Sequence, residues 1–332
     1  MRTGACVILG AFLAFSGVAF AQEKGASVDA ASVEDVLSAV VRVRAKILPN
    51  ARSIAILGPQ REGSGVLVRD GYVATIGYLV IESESIEVTG ADGKSVPAAL
   101  AGYDHGSGFA LLRLLAPLAG KPLPIGDSSA AAERVPALAV AYGADGVSVV
   151  QVISRRPFSG SWEYLLEAAI FTYPAVMNWS GASLISAKGE LLGLGSLIVA
   201  DAAGAGTQSP GNMFVPADLL GSILDELIAR GKAAGPPRPW MGVNAEEMRG
   251  RLFVTRVSPE GPADRAGLQS GDILIGVGSE EVSSLAEFYR KVWALGAAGV
   301  DVPLRVLQGV QVKEVTLRSI DRMEYFRARP SY

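Results

Sequence analysis

With 332 residues, 30 basic and 33 acidic side chains and a net charge of −3 at pH 7, the chain is long enough for two domains and faintly acidic. No basic run tracks phosphates, which excludes nucleic acid as an expected partner. A single cysteine, Cys6, and a single histidine, His105, give no disulfide, and neither a cofactor nor a metal is expected.

Arg2, the mostly apolar run Val7 to Phe20 and the small-x-small pattern Ala19-Phe20-Ala21 read as a signal peptide over residues 1–21, cut before Gln22. The apolar run is shorter than the roughly 20 residues a spanning helix needs, so no membrane span is expected after cleavage. A short helix is predicted from Val33 to Ala39, with Ser32 as N-cap and Asp35 near the first turn. From Val40 to Val215, short β-branched runs (Gly65–Val68, Ser85–Thr89, Val135–Tyr142, Val147–Ile153, Leu191–Ile198) alternate with Gly, Asp, Ser and Pro turns. That texture predicts an all-β domain.

Leu219, Leu220, Ile223, Leu224, Leu227 and Ile228 recur at helical spacing between Pro216 and Arg230, and Gly231 stops the run. Residues 233–239, with three prolines and a glycine, read as a stiff linker between a 22–232 domain and a smaller α+β domain at 240–322; residues 323–332 read as a tail. In the smaller domain Pro262 to Ala266 starts a helix that Gly267 ends. Ser284 caps a second helix carrying Leu285, Phe288, Tyr289 and Val292 on one face.

Glu62-Gly63-Ser64-Gly65-Val66-Leu67-Val68, Asp70-Gly71-Tyr72-Val73, Thr75-Ile76-Gly77-Tyr78, Gly102-Tyr103-Asp104 through Gly108-Phe109-Ala110-Leu111-Leu112, Asn178-Trp179-Ser180-Gly181, and Gly211 to Pro216 keep one register. That register resembles the trypsin-like serine proteases of the HtrA/Deg family over nearly the whole chain beyond residue 21. The stretch Val257-Ser258-Pro259-Glu260-Gly261-Pro262-Ala263-Asp264-Arg265-Ala266-Gly267-Leu268, continued to Leu274, resembles the PDZ signature of the same proteins. The resemblance implies a mainly β protein: a double β-barrel of trypsin type, then one PDZ domain, exported to the periplasm.

By the same resemblance Ser180 stands at the nucleophile position, Tyr78 where the family keeps its histidine, and Gly108 where it keeps its aspartate. A serine hydroxyl needs a positioned base to become a nucleophile, and a phenol is protonated at neutral pH. Loss of the base alone costs such enzymes about 10⁶-fold in rate. Asn178 replaces the glycine that helps form the oxyanion hole; asparagine reaches positive φ more readily than most residues, so the turn could persist. His105 is expected to be an exposed or hydrogen-bonded loop residue beside Asp104, out of reach of Ser180.

The PDZ resemblance implies that Trp240-Met241-Gly242-Val243 would be the carboxylate-binding loop, with Leu285, Phe288, Tyr289 and Val292 forming the other wall. The expectation is a non-proteolytic protein that binds peptide C-termini or a protein partner through this groove. The alternatives are a serine endopeptidase with a non-standard base, a chaperone-like holdase, or a groove that is self-occupied or structural. A homo-oligomer is left open.

Overall fold

The computed structural model describes residues 33–326, so the expected signal peptide, Cys6 and the Ser32 cap lie outside the described residues. Helix α1 (Val33–Ala39) carries Glu34 and Asp35 in its first turn, where the helix dipole favours negative charge. It runs directly into strand β1 (Val40–Ile47). After the single turn α2 (Ile54–Leu57) come β2 (Gln60–Arg69), β3 (Tyr72–Ile76), β4 (Ser83–Thr89), β5 (Ser95–Tyr103) and β6 (Phe109–Leu114). These six strands close a barrel in the order β1-β2-β3-β6-β5-β4. Along β1 the two-residue period of a strand puts Val43, Ala45 and Ile47 inside and Arg44 and Lys46 in solvent.

A second closed barrel is formed by β7 (Pro136–Val140), β8 (Val147–Gly160), β9 (Tyr164–Tyr173), β10 (Ser183–Ile185), β11 (Leu191–Val199) and β12 (Gly211–Pro216), in the order β10-β11-β12-β9-β8-β7. The predicted strand ending at Ile153 runs on to Gly160, making β8–β9 a long hairpin with Ser161, Trp162 and Glu163 at its tip. Helix α3 (Ala217–Arg230) buries Leu220, Leu224 and Leu227, and left-handed Gly231 ends it, φ 75°. Gly102 lets α3 sit close: a Cβ there would stand 2.9 Å from the Leu227 carbonyl oxygen.

Residues 232–239 form neither helix nor strand. They are held all the same: Ala298 N–H donates to the Pro237 carbonyl at 2.8 Å, and Arg238 lies over the Trp293 ring at 4.3 Å. Beyond them β13 (Val243–Met248), β14 (Arg251–Val257), helix α4 (Pro262–Arg265), β15 (Ile273–Val277), β16 (Glu280–Glu281), helix α5 (Leu285–Ala294), β17 (Asp301–Gln308) and β18 (Gln311–Arg318) form one sheet with two helices. The sheet order β13-β14-β15-β17-β18 leaves β13 at an edge, beside α5. Ser284 caps α5 as expected, its hydroxyl accepting from Glu287 N–H at 3.2 Å.

The segment set apart as a tail after residue 322 instead begins with helix α6 (Arg322–Tyr325). The Tyr325 ring packs 4.6 Å from that of Trp240, under the Arg52 guanidinium at 4.3 Å. Aromatic and cationic side chains make this stretch part of the folded body, a preference that polarity alone conceals.

Candidate functional site

Tyr78 and Ser180 meet between the two barrels. Tyr78 sits in a turn of 3-10 helix, Gly77–Leu79, at the end of β3. The buried Arg61 pins that turn by donating to the Tyr78 carbonyl at 2.7 Å and the Ile81 carbonyl at 3.2 Å. Burial lowers the Arg61 pKa to about 10, partly offset by Glu82, and the group stays charged at neutral pH. Ser180 is held from the other side, its carbonyl accepting from Ser64 N–H at 2.8 Å. Gly181 must be glycine: with φ +73° its absent Cβ would fall 1.9 Å from the Ser64 carbonyl oxygen.

The Tyr78 hydroxyl lies 2.8 Å from Ser180 Oγ and donates to the Ser196 carbonyl at 2.9 Å. With the phenolic proton on Ser196, the Ser180 hydroxyl donates its own proton to the Tyr78 oxygen. Burial, ahead of the opposing bonds to Ser180 and Trp179, pushes the Tyr78 pKa up to about 12. A neutral phenol that is already donating cannot accept the serine proton as a base would. The pair is a hydrogen bond between two neutral hydroxyls.

Gly108 joins the site only through its backbone. Its carbonyl accepts from Gly77 N–H at 2.8 Å, and its φ of +81° is the left-handed conformation that suits glycine. A Cβ at this position would lie 3.3 Å from Tyr164 Oη. Asn178 is exposed and is not among the described residues with positive φ, so the tolerance of asparagine for that conformation is not used here. A cleft of about 620 Å³ opens over the pair, bordered by Arg42, Gln60, Met177 and Trp179.

His105 is hydrogen-bonded, but not to Ser180 or to Asp104. Arg322 donates to its Nε2 at 2.6 Å, so Nδ1 carries the proton and faces Tyr103 Oη at 3.1 Å. Burial first and the Arg322 charge second hold its pKa well below the ordinary 6.5, keeping it neutral. Asp104 binds Ser107 N–H and Oγ instead, at 2.7 and 2.6 Å.

The second site is the groove between β13 and α5. The expected wall is there: Leu285, Phe288, Tyr289 and Val292 are all buried. Of the four loop residues, Trp240 donates its N–H to the Ile320 carbonyl at 3.0 Å and takes no part in holding an anion. Met241, Gly242 and Val243 do present their N–H groups to a carboxylate, as expected. That carboxylate belongs to Glu163, on the tip of the β8–β9 hairpin: Met241 donates to Oε2 at 2.9 Å, Gly242 and Val243 to Oε1 at 2.7 and 2.9 Å. Of the alternatives kept open for the groove, the one in which it is occupied from within the chain matches these bonds. Glu163 was invisible as a partner because 79 residues separate it from Gly242, and its only local signal is an acid in the break between two β-runs.

Two closed six-stranded barrels with a serine between them, followed by a six-stranded sheet bearing a carboxylate-holding loop, define a trypsin-like peptidase fold joined to a PDZ unit. Residues 63–194 match the trypsin-like peptidase domain and residues 253–306 the PDZ domain. Protease Do-like 1, chloroplastic, of Arabidopsis thaliana is 28% identical over 285 residues, covering 78% of this chain and 63% of its own length. The periplasmic pH-dependent serine endoprotease DegQ of Escherichia coli is 28% identical over 272 residues, covering 76% of this chain and 58% of its own. The solved HtrA-type protease AlgW with decapeptide superposes with a TM-score of 0.53 at 21% identity, over 92% of this chain and 100% of that one. The chain is of the HtrA/Deg type, a trypsin-like peptidase domain with one C-terminal PDZ domain, and it spans about three-fifths of the length of these two curated relatives.

Proposed function

We propose that this is a non-proteolytic HtrA-type protein of the periplasm that recognises peptide C-termini or a protein partner through its PDZ groove, in a regulatory or quality-control role. The observation that carries the reading is the 2.8 Å contact between Ser180 Oγ and the neutral hydroxyl of Tyr78, where proteolysis needs a base. Gly108 brings no carboxylate to orient one, and among the described residues no histidine or acid is hydrogen-bonded to Ser180.

Export rests on the Ala19-Phe20-Ala21 pattern, with mature protein beginning at Gln22 in the soluble envelope fraction. No helix among the described residues is long and apolar enough to cross a membrane.

The competing reading is a working endopeptidase, favoured by relatives that are named serine endoproteases. Digestion of unfolded casein separates the two. The chain from Gln22 and its Ser180→Ala variant are expected to release peptides at the same background rate. Turnover by the parent chain that Ser180→Ala abolishes would establish the endopeptidase instead.

A further inference from the structure

A groove that captures a C-terminus uses three devices: loop amides for the carboxylate, a strand edge for the peptide backbone and an apolar pocket for a side chain. The tip of the β8–β9 hairpin engages all three. The Glu163 carboxylate takes the amides of Met241, Gly242 and Val243. Two residues earlier, the Ser161 carbonyl accepts from Ala245 N–H at 3.0 Å, a ladder bond on the open edge of β13. Leu165 is buried in the same apolar cluster as Met241, Val243, Phe288 and Tyr289.

Further bonds hold the tip in place. Tyr289 Oη donates to the Gly160 carbonyl at 2.7 Å and accepts from Glu163 N–H at 3.2 Å. Arg322 donates to the Trp162 carbonyl at 3.0 Å, and Arg290 grips Glu167 at the rim through bonds of 3.1 and 2.6 Å. Glu163 itself holds φ +59°, a left-handed conformation uncommon for a residue with a Cβ. Backbone in such a region persists where its surroundings over-determine it, and here the surroundings are the groove.

We propose that the segment Gly160–Leu165 is an internal ligand of the PDZ groove, a side-chain carboxylate standing where a chain terminus would stand, so that an external C-terminus binds only by displacing Glu163. The proposal rests on reading the groove as a peptide site. An intramolecular competitor acts at a high effective concentration. External affinity is therefore reduced by the fraction of molecules whose tip is out. The ligand admitted is an extended peptide with a free terminal carboxylate, because the amides that Glu163 vacates are donors only.

The test is fluorescence anisotropy of an N-terminally labelled peptide ending in valine, with a free carboxylate or a terminal amide. It is titrated with the chain from Gln22 and with its Glu163→Gln and Glu167→Gln variants. Glu163→Gln is expected to bind the free acid at least about tenfold more tightly than the parent chain, and to discriminate against the amide, which forfeits the charge-assisted bonds. Glu167→Gln, a change at the exposed rim that leaves the core intact, is expected to tighten binding by a smaller factor.

Equal affinity in all three proteins would overturn the internal ligand and leave the peptide-site reading standing. Hydrogen exchange at Met241, Gly242 and Val243 supplies the converse. Slow exchange in the parent chain that becomes fast in Glu163→Gln, with no peptide bound by either, would sustain the internal ligand and defeat the peptide-site reading. Fast exchange in the parent chain would overturn the proposal outright.

Discussion

The cleft at Ser180 and the groove at Gly242 face opposite fates for the same reason. Around the Ser180 hydroxyl every hydrogen-bonding partner is neutral: the phenol of Tyr78 and, through it, the carbonyl of Ser196. In the groove a carboxylate meets three N–H groups. Proteolysis requires a group that takes a proton and returns it, and under the proposed non-proteolytic reading the phenol at Tyr78 supplies only ordinary hydrogen bonding. Binding a carboxylate requires only oriented donors, so any carboxylate that reaches them will do, including one from the same chain. At the first site the two hydroxyls line a cleft; occupancy at the second couples two parts of the molecule.

The comparison breaks most visibly at Glu163. Glu163→Lys places a cation against three amides and near the half-buried Arg322, and putting an unpaired charge where a buried, hydrogen-bonded one stood costs about 3–5 kcal/mol. Chemical denaturation should show a loss of that order for the first unfolding step. A loss below about 1 kcal/mol, the level of a surface change, would mean that the tip does not rest in the groove.

Next in size is a pH effect. Burial pushes the Glu163 pKa from 4.5 up to about 7, against the opposing pull of the Met241 and Val243 amides and of Arg322. Between these two values the folded protein retains a proton that the unfolded chain has released. Stability from this group is therefore fully present below pH 4.5 and falls as the pH rises to about 7. The slope cannot exceed about 1.4 kcal/mol per pH unit. Subtracting the profile of Glu163→Gln isolates it, since His105, which stays neutral beside Arg322, contributes with the opposite sign in both proteins. Parallel profiles for the two proteins would remove Glu163 as the source.

On the cleft side the effects are smaller. Gly108→Asp forces a side chain into a left-handed position facing Tyr164, at a cost of about 1–3 kcal/mol. Paired with Tyr78→His it should restore no casein cleavage, because the acid site is filled by an aromatic ring. Recovery of turnover by that double variant would show the cleft to be only two residues from activity. Tyr78→Phe removes one hydroxyl and should cost about 1 kcal/mol with no change in any proteolytic background. Differential scanning fluorimetry reads both.

The sequence was most informative where local rules decide the outcome. Helix α3 follows from the apolar spacing of Leu220, Leu224 and Leu227 and its glycine stop, and α5 from its Ser284 cap and buried stripe. The facing of Tyr78 and Ser180 was legible through family register, because both sit in motif segments whose spacing survives. What escaped was long-range. Glu163, Ser161 and Arg322 carry no motif, and their roles arise only when a hairpin tip, a loop and a terminal helix converge across 78 residues or more. At Asn178 the sequence left the turn open, because a tolerance for positive φ is only a permission, and the exposed turn does not use it.

Labelling by a fluorophosphonate tests the central contrast most directly, since the reagent reports an activated serine whatever the substrate. The chain from Gln22 should be left unlabelled both alone and with an excess of a peptide that has a free valine carboxylate, because emptying the groove supplies no base to Ser180. Labelling in either condition that Ser180→Ala removes would contradict the account and make the cleft a working active site.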